Sequence, residues 1–466
     1  MGLKQFTIDF REITTHQYLR FDEKFWFTTK NLRLLQEALL LKDIFYLING
    51  NSYTEYYTEE KTDIPYIRIG DLSFKYEISS DNLIYLDESC EINEDKKLKK
   101  DDLILATIGA TIGKINLARE FENGTFSNNT ILLRVKDKKN HNPYFYEKLF
   151  QGNLLQKYIW GIVSQKAQPN LQTYDLQNIK IPLISKDKQD QIVAQIEPIE
   201  KKIKEEKSQI TPAQEVINKV FAREFSFNLE KFEESTKIKN YYLDLSACSN
   251  NKDIRNSVTF HRESAQFIMS ELKRVTSSKI KHFIAEPIVL GASISPSDFN
   301  ESGEYYYVSM ATVKNYILEL DDSQLVSDNY SSMNLNKAVK QNDIIMTRSG
   351  VAIGKFALVE DDFKGIFADF TMRIRLENYN PLFAYYYFRS EYFQHLIHSN
   401  KKGLQNKNIF PSQIQEFPMI DISLKAQQKI VSEIKAELDR QEEMKKKIEA
   451  ERNKIDEIIE KAIKNS

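Results

Sequence analysis

Residues 106–114 read ATIGATIGK, two glycines and a lysine in a spacing that could fold backbone N–H groups around a phosphate. A phosphate-cradling loop of that kind puts four residues between its glycines and a Ser or Thr after the lysine, to reach a metal ion. Here three residues separate Gly109 from Gly113, Ile115 follows Lys114, and bulky Ile112 stands where backbone must approach the ligand closely. A nucleotide-binding enzyme using ATIGATIGK therefore stays only as an alternative reading. Other chemistry is sparse. The six histidines show no metal-spaced pair, and Cys90 and Cys248 lie too far apart in sequence for a cluster or a disulfide framework. No catalytic residue, metal site or cofactor is expected, and the two thiols are expected to be reduced.

The elements that position this stretch occur twice. DDLILATIGATIGKINLA (101–118) returns as NDIIMTRSGVAIGKFALV (342–359), with Asp102, Gly109, Gly113 and Lys114 meeting Asp343, Gly350, Gly354 and Lys355, each 241 residues later. The same offset pairs YIRIGDL (66–72) with YVSMATV (307–313), and Arg20…Phe25 meets Arg262…Phe267 at 242. NPYF (142–145) and NPLF (380–383) match at 238, and IP (181–182) and FP (417–418) at 236. Order is kept while the offset drifts slightly, the signature of a tandem duplication. The repeat also explains Asn142-Pro143, which faintly resembles the Asn-Pro-Pro-Tyr motif of amino-methyltransferases. Both copies lack the second proline, and both precede aromatic-rich helical stretches, so an Asn N-cap with Pro at the first helical position accounts for them. By the same logic Tyr385, Tyr386, Tyr387 and Phe388, on a helix, read as core rather than as stacking platforms.

Each copy carries short β-like runs broken by Gly, Asn and Asp, then a long charged helix. The first helix is expected over 187–225, with Ile192, Ile196, Ile199, Ile203, Ile210, Ile217 and Val220 on one heptad stripe. The second is expected over 424–464, with Ile430, Ile434, Met444, Ile448, Ile455 and Ile458. Gln441 and Glu451 fall on the second stripe. Pro198 and Thr211-Pro212 interrupt the first, the latter pair reading as an N-cap and restart. A 40-residue helix measures ~60 Å, and so narrow a stripe calls for a partner helix. The expected fold is α+β, a duplicated β-rich domain and long helix, the two helices packing as an antiparallel coiled coil about a pseudo-two-fold axis. The expected division is 1–183 and 226–419 for the β-rich domains, and 184–225 and 420–466 for the helical regions. Net charge is −2 from 65 basic and 67 acidic residues, so any attraction to a polyanion must come from local patches. No apolar run approaches a membrane span, and no signal peptide opens the chain, so a cytoplasmic location is expected.

This layout resembles the specificity (S) subunit of type I restriction–modification systems. The resemblance rests on IPYIRIGDL, on ATIGATIGK with TRSGVAIGK, and on the joints LQNIKIPLISKDKQDQIVAQI (176–196) and IQEFPMIDISLKAQQKIVSEI (414–434). It covers nearly the whole chain. The joint of the family shows two prolines and a Glu-Gln pair; here Ile184 replaces a proline, and Asp190-Gln191 and Gln427-Gln428 stand in for the pair. The resemblance implies two target recognition domains that read a split double-stranded DNA target. It also implies a non-catalytic scaffold for two methyltransferase (M) subunits, which use S-adenosylmethionine, and for restriction/translocase (R) subunits. A DNA-recognition subunit of a related phage-defence system or two-subunit methylase has the same fold, and a coiled-coil adaptor would leave the β-rich domains idle.

If the two domains read different half-sites, base-reading positions should differ between copies while turn glycines match. The candidates are Arg68, Thr107 and Lys114, then Lys166, Gln168 and Asn170 in SQKAQPN, in the first copy. In the second they are Arg348, Ser349 and Lys355, then Lys401, Lys402, Gln405 and Lys407 in KKGLQNKN. Arg68 faces Ser309, and Thr107 faces Arg348. Arginine suits a guanine edge, Gln and Asn suit adenine, and the lysines suit phosphates.

Overall fold

Both copies build the same pair of small sheets from the β-like runs. The computed structural model describes residues 38–80, 82–163, 169–244, 257–314, 316–321, 323–403 and 407–464, with Lys24 and Ser246. Arg20, Phe25 and Cys248 lie outside these residues, while Cys90 is buried. In the first copy Phe45–Asn49, Thr130–Val135, Leu103–Ala106 and Ile115–Leu117 form one antiparallel sheet, in that order. Its counterpart in the second copy runs Val289–Leu290, Thr371–Ile374, Ile344–Thr347 and Phe356–Leu358. A second sheet ends in a parallel pair in each copy: Pro65–Ile67 with Thr125–Phe126, and Tyr305–Val308 with Gly365–Phe367. The central strands Leu103–Ala106 and Ile344–Thr347 are buried at every position, which is why they read as unbroken apolar runs.

The matched Asp102 and Asp343 open these central strands. Each buried carboxylate accepts a backbone N–H three residues before it, from Lys99 or Lys340, at 2.8 Å. Each also takes two donors from one arginine at the end of the neighbouring strand. Arg134 reaches Asp102 at 2.9 and 2.7 Å, and Arg375 reaches Asp343 at 2.7 and 2.7 Å. A buried charge persists only when paired in this way. Asn142 and Asn380 do cap their helices, each side chain accepting two N–H groups of the first turn beside the N1 proline. Tyr385, Tyr386, Tyr387 and Phe388 are all buried in the apolar core of the second copy.

The first long helix differs in detail from its expected span. Lys186–Ser208 passes through Pro198 without ending, and the chain breaks only at 209–212 before Ala213–Phe225. The restart begins on Pro212 as N-cap rather than on Thr211. The final helix, Leu424–Lys464, is continuous. The chain divides into two compact units, residues 1–209 with 444–466, and 210–443. Within the first, Lys202 meets Glu451 at 2.6 Å. Within the second, the Thr211 N–H donates to Gln441 Oε1 at 3.0 Å and Arg223 meets Glu433 at 2.6 Å. In the first unit Glu200 also meets Arg452 at 3.8 Å, so in each unit rising numbers meet falling ones and the helices run antiparallel. Both polar residues on the stripe have work: Glu451 receives Lys202 and Lys454, and Gln441 receives an N–H freed by the break. Among the described residues no helix is long and apolar enough to cross a membrane, and no His, Cys, Asp or Glu group could hold a metal ion.

Removing the arginine of either buried pair strands a carboxylate in the core. Arg134→Ala and Arg375→Ala are each expected to cost about 3 kcal/mol of stability. Denaturant titration of the full chain checks this, and midpoints unchanged from wild type would refute it.

Candidate nucleic-acid interface

ATIGATIGK is the end of a β-hairpin. Leu105 pairs with Ile115, and the turn between them holds one short 3₁₀ segment, Gly109–Thr111. Gly109 and Gly350 have φ of +63° and +65°, and Gly113 and Gly354 have +90° and +80°, conformations that L side chains rarely adopt. The turn turns its donors inward. The N–H groups of Ile112, Gly113 and Lys114 go to the carbonyls of Gly109, Ala106 and Thr111, and the second copy repeats all three bonds. Ile112 is buried in the core. Backbone donors already satisfied cannot cradle a phosphate, so the geometry opposes the nucleotide reading.

What the hairpin end does instead is join the polar loop that precedes the helical region. In the first copy Gly109 donates to the Pro169 carbonyl at 2.9 Å, Leu171 donates to the Thr107 carbonyl at 2.8 Å, and Ile108 bridges Asn170. In the second copy Gly350 donates to Lys407 at 3.3 Å, Ile409 donates to Arg348 at 3.0 Å, and Ser349 bridges Asn408. The two loops singled out separately in the sequence thus form one composite edge in each unit. A third segment adds to it, because Thr107 donates to the Asn129 carbonyl at 3.1 Å and Arg348 to that of Phe370 at 3.0 Å.

Side chains on this edge differ between copies although the backbone repeats. Thr107 is buried, and its hydroxyl is already given to the Asn129 carbonyl at 3.0 Å. Arg348 is half-buried, its guanidinium 5.9 Å from the Phe370 ring. Ser349 Oγ donates to Asn408 Oδ1 at 2.7 Å, so Ser349 shapes the edge. Asn170 lies on the edge of the first copy, half-buried. Lys355 is exposed, while Lys114 is half-buried with its ammonium 5.9 Å from the Phe74 ring. Lys402 and Asn408 exchange both backbone hydrogen bonds, at 2.8 and 2.7 Å, closing the loop that presents Lys401 and Lys407. Burial, and then the charge of Lys407, hold the Lys401 ammonium below the ordinary lysine range. Lys166, Gln168 and Gln405 lie outside the described residues.

Arg68 reaches the same strand ends, because Pro65–Ile67 and Thr125–Phe126 run parallel. Its side chain is engaged there by Asp71 at 3.1 Å and the Asn82 carbonyl at 2.9 Å, which ties it to its own turn. Its counterpart Ser309 also shapes a turn, accepting from Thr312 and Ala311. Two pairs of positions were missed in the sequence. Asn129 corresponds to Phe370, and Gln172 to Phe410, the latter two each opening a short helix next to the loop. The signal for them is the repeat itself, since Asn129 and Phe370 are 241 residues apart and Gln172 and Phe410 are 238 apart, the same offsets that relate the hairpin and the Asn-Pro helix.

A family model described as the type I restriction modification DNA specificity domain matches residues 37–212 and 286–453. Similar solved structures include the type-I restriction-modification system S subunit from M. genitalium, at 12% identity, covering 91% of this chain and 95% of that one, with a TM-score of 0.40. The HsdS subunit from Thermoanaerobacter tengcongensis is 12% identical, with 92% and 96% covered and a TM-score of 0.33. A structure described as showing complex assembly and conformational transition of the type I R-M system is 13% identical, with 92% and 97% covered and a TM-score of 0.48. No curated protein matches the chain. Matched by one family model in each half and over most of its length, the chain belongs to the type I restriction–modification DNA specificity family.

Proposed function

We propose that the chain is the sequence-reading subunit of a type I restriction–modification complex, non-catalytic in itself, with one target recognition domain for each half of a split double-stranded DNA target. The domains are assigned to 1–183 and 226–419, and the helical regions 184–225 and 420–466 dock two M subunits and the R subunits. One observation carries this reading: the same three-segment edge is built twice with repeated backbone bonds and changed side chains. A shared structural or catalytic task would favour keeping those side chains, whereas reading two different half-sites requires changing them. Arg348 is the base reader of this reading, and Lys355, Lys401, Lys402 and Lys407 are its phosphate contacts, with Lys114 and Asn170 in the first domain.

Long-read methylation mapping of cells carrying the neighbouring methyltransferase gene, with and without this chain, is the decisive measurement. Methyladenine at a split, asymmetric motif should appear only with the chain. Methylation that ignores its presence would overturn the proposal. Arg348→Ala should relax preference at one half-site, at a cost of ~1–3 kcal/mol of discrimination, and leave the other intact. Reversing the charge of Lys401 and Lys402 together should weaken binding to any duplex and flatten the slope of log affinity against log salt by about two. An unchanged slope would remove that loop from the interface.

A further inference from the structure

Around the composite edge, five positions can be equated between the copies by identical backbone bonds or bridges rather than by alignment. They carry Thr107, Ile108, Asn129, Asn170 and Gln172 in the first unit, and Arg348, Ser349, Phe370, Asn408 and Phe410 in the second. The first set has no charge and no aromatic ring. The second has a guanidinium and two phenyl rings, and both rings are exposed, Phe370 at 47% and Phe410 at 39%. Two exposed Phe side chains on one edge are costly for a surface with no partner, and the copy shows that this backbone does not need either ring. Arg348 is also incompletely satisfied: its Nε is buried and meets no hydrogen-bond partner among the described residues. The Phe370 ring, 5.9 Å away, keeps the guanidinium beside it.

Resting on the reading above, we infer that Arg348 and Phe370 act as one unit that reads a guanine with a thymine next to it, in the half-site of the second domain. The arginine supplies parallel donors for guanine O6 and N7, and the ring supplies the apolar surface that fits the thymine methyl group in the major groove. Lys401 and Lys407, on the adjoining loop, provide the cationic setting for the phosphates on either side. Phe370 is thus a specificity-determining residue. In the first domain the corresponding position is Asn129, and with Gln172 it forms an amide edge suited to adenine. That half-site is read without an arginine–guanine pair.

The test compares methylation motifs from cells expressing the full chain, with its methyltransferase, as wild type, Phe370→Asn, Phe370→Leu and Arg348→Thr. The wild-type motif should contain a guanine beside a thymine in one half-site. Phe370→Asn should reduce the preference for that thymine by about tenfold or more. Phe370→Leu should keep it, Arg348→Thr should lose the guanine, and the other half-site should stay unchanged in all three. If Phe370→Asn abolishes methylation altogether, the leucine and threonine variants decide the matter on their own. A split motif with no such step in either half, or one whose thymine survives Phe370→Asn, overturns this inference and leaves the general reading standing. A wild-type chain that directs no split motif overturns both.

Discussion

The arrangement depends on a clasp of two amides. Asn142 accepts the N–H groups of Tyr144 and Phe145 and so starts its helix, while its own backbone N–H donates to Gln189 Oε1 at 2.8 Å. Gln189, buried on the long helix, passes its amide hydrogens back to the Ile184 carbonyl at 2.7 Å. One glutamine thus holds the domain's helix to the segment that leads into the long helix. In the second unit Asn380, Gln427 and Ile422 repeat each bond, at 2.8 and 2.8 Å. A buried amide that loses one of these partners keeps its desolvation cost, so the angle at which each β-rich domain leaves its own helix is sharply defined. A reader of DNA needs that definition, since an edge that swivels cannot hold register on base pairs.

From the clasp outward, the duplication separates what the fold requires from what the ligand requires. Asp102 with Arg134, the two positive-φ glycines, and Gln156 on the Gly113 carbonyl all recur as Asp343 with Arg375, Gly350 with Gly354, and Gln394 on the Gly354 carbonyl. These are engaged with the protein itself. On the edge most side chains change, as Thr107 to Arg348 and Asn129 to Phe370. Buried polar groups change as well: Glu147 and Lys148, ion-paired in the first unit at 3.0 Å, stand where the second has Tyr385 and Tyr386. Divergence alone is therefore not a mark of the interface. Divergence at an exposed position held by a repeated backbone bond is a much narrower criterion.

Much of this was legible in the sequence because duplication supplies its own comparison. The two glycine turns, the Asn caps, the core helix of tyrosines and the long final helix all follow from local patterns with a mechanism. Three features were harder to read. The family-like pair at the first joint was placed on Asp190-Gln191, but the structure matches Gln189-Asp190 to Gln427-Gln428, since Gln189 and Gln427 make the same clasp bond. A one-residue shift is invisible when both neighbours are polar. Thr107 looked available at a strand end, yet it completes an entirely buried strand, and its hydroxyl bonds the next segment. Arg68 looked like a reader, while Asp71, three residues on in RIGD, was the signal that its charge already had a partner.

The break in the first long helix shows how polar residues on an apolar stripe can be read. Gln441 and Glu451 weaken a heptad pattern, and taken alone they argue against a continuous seam. Yet Gln441 lies where the antiparallel helix stops, and its carbonyl takes the Thr211 N–H that the break leaves without an intrahelical acceptor. Its amide is anchored in turn by Glu437 at 2.6 Å. A leucine there would bury more apolar surface but leave that N–H unmet, a trade worth about 1–3 kcal/mol against it. The break in one helix and the polar residue on the stripe of the other are the two halves of a single hydrogen bond. It can form in only one register of the pair, so it fixes the axial alignment of the helices where apolar contacts alone would tolerate a slip by one heptad.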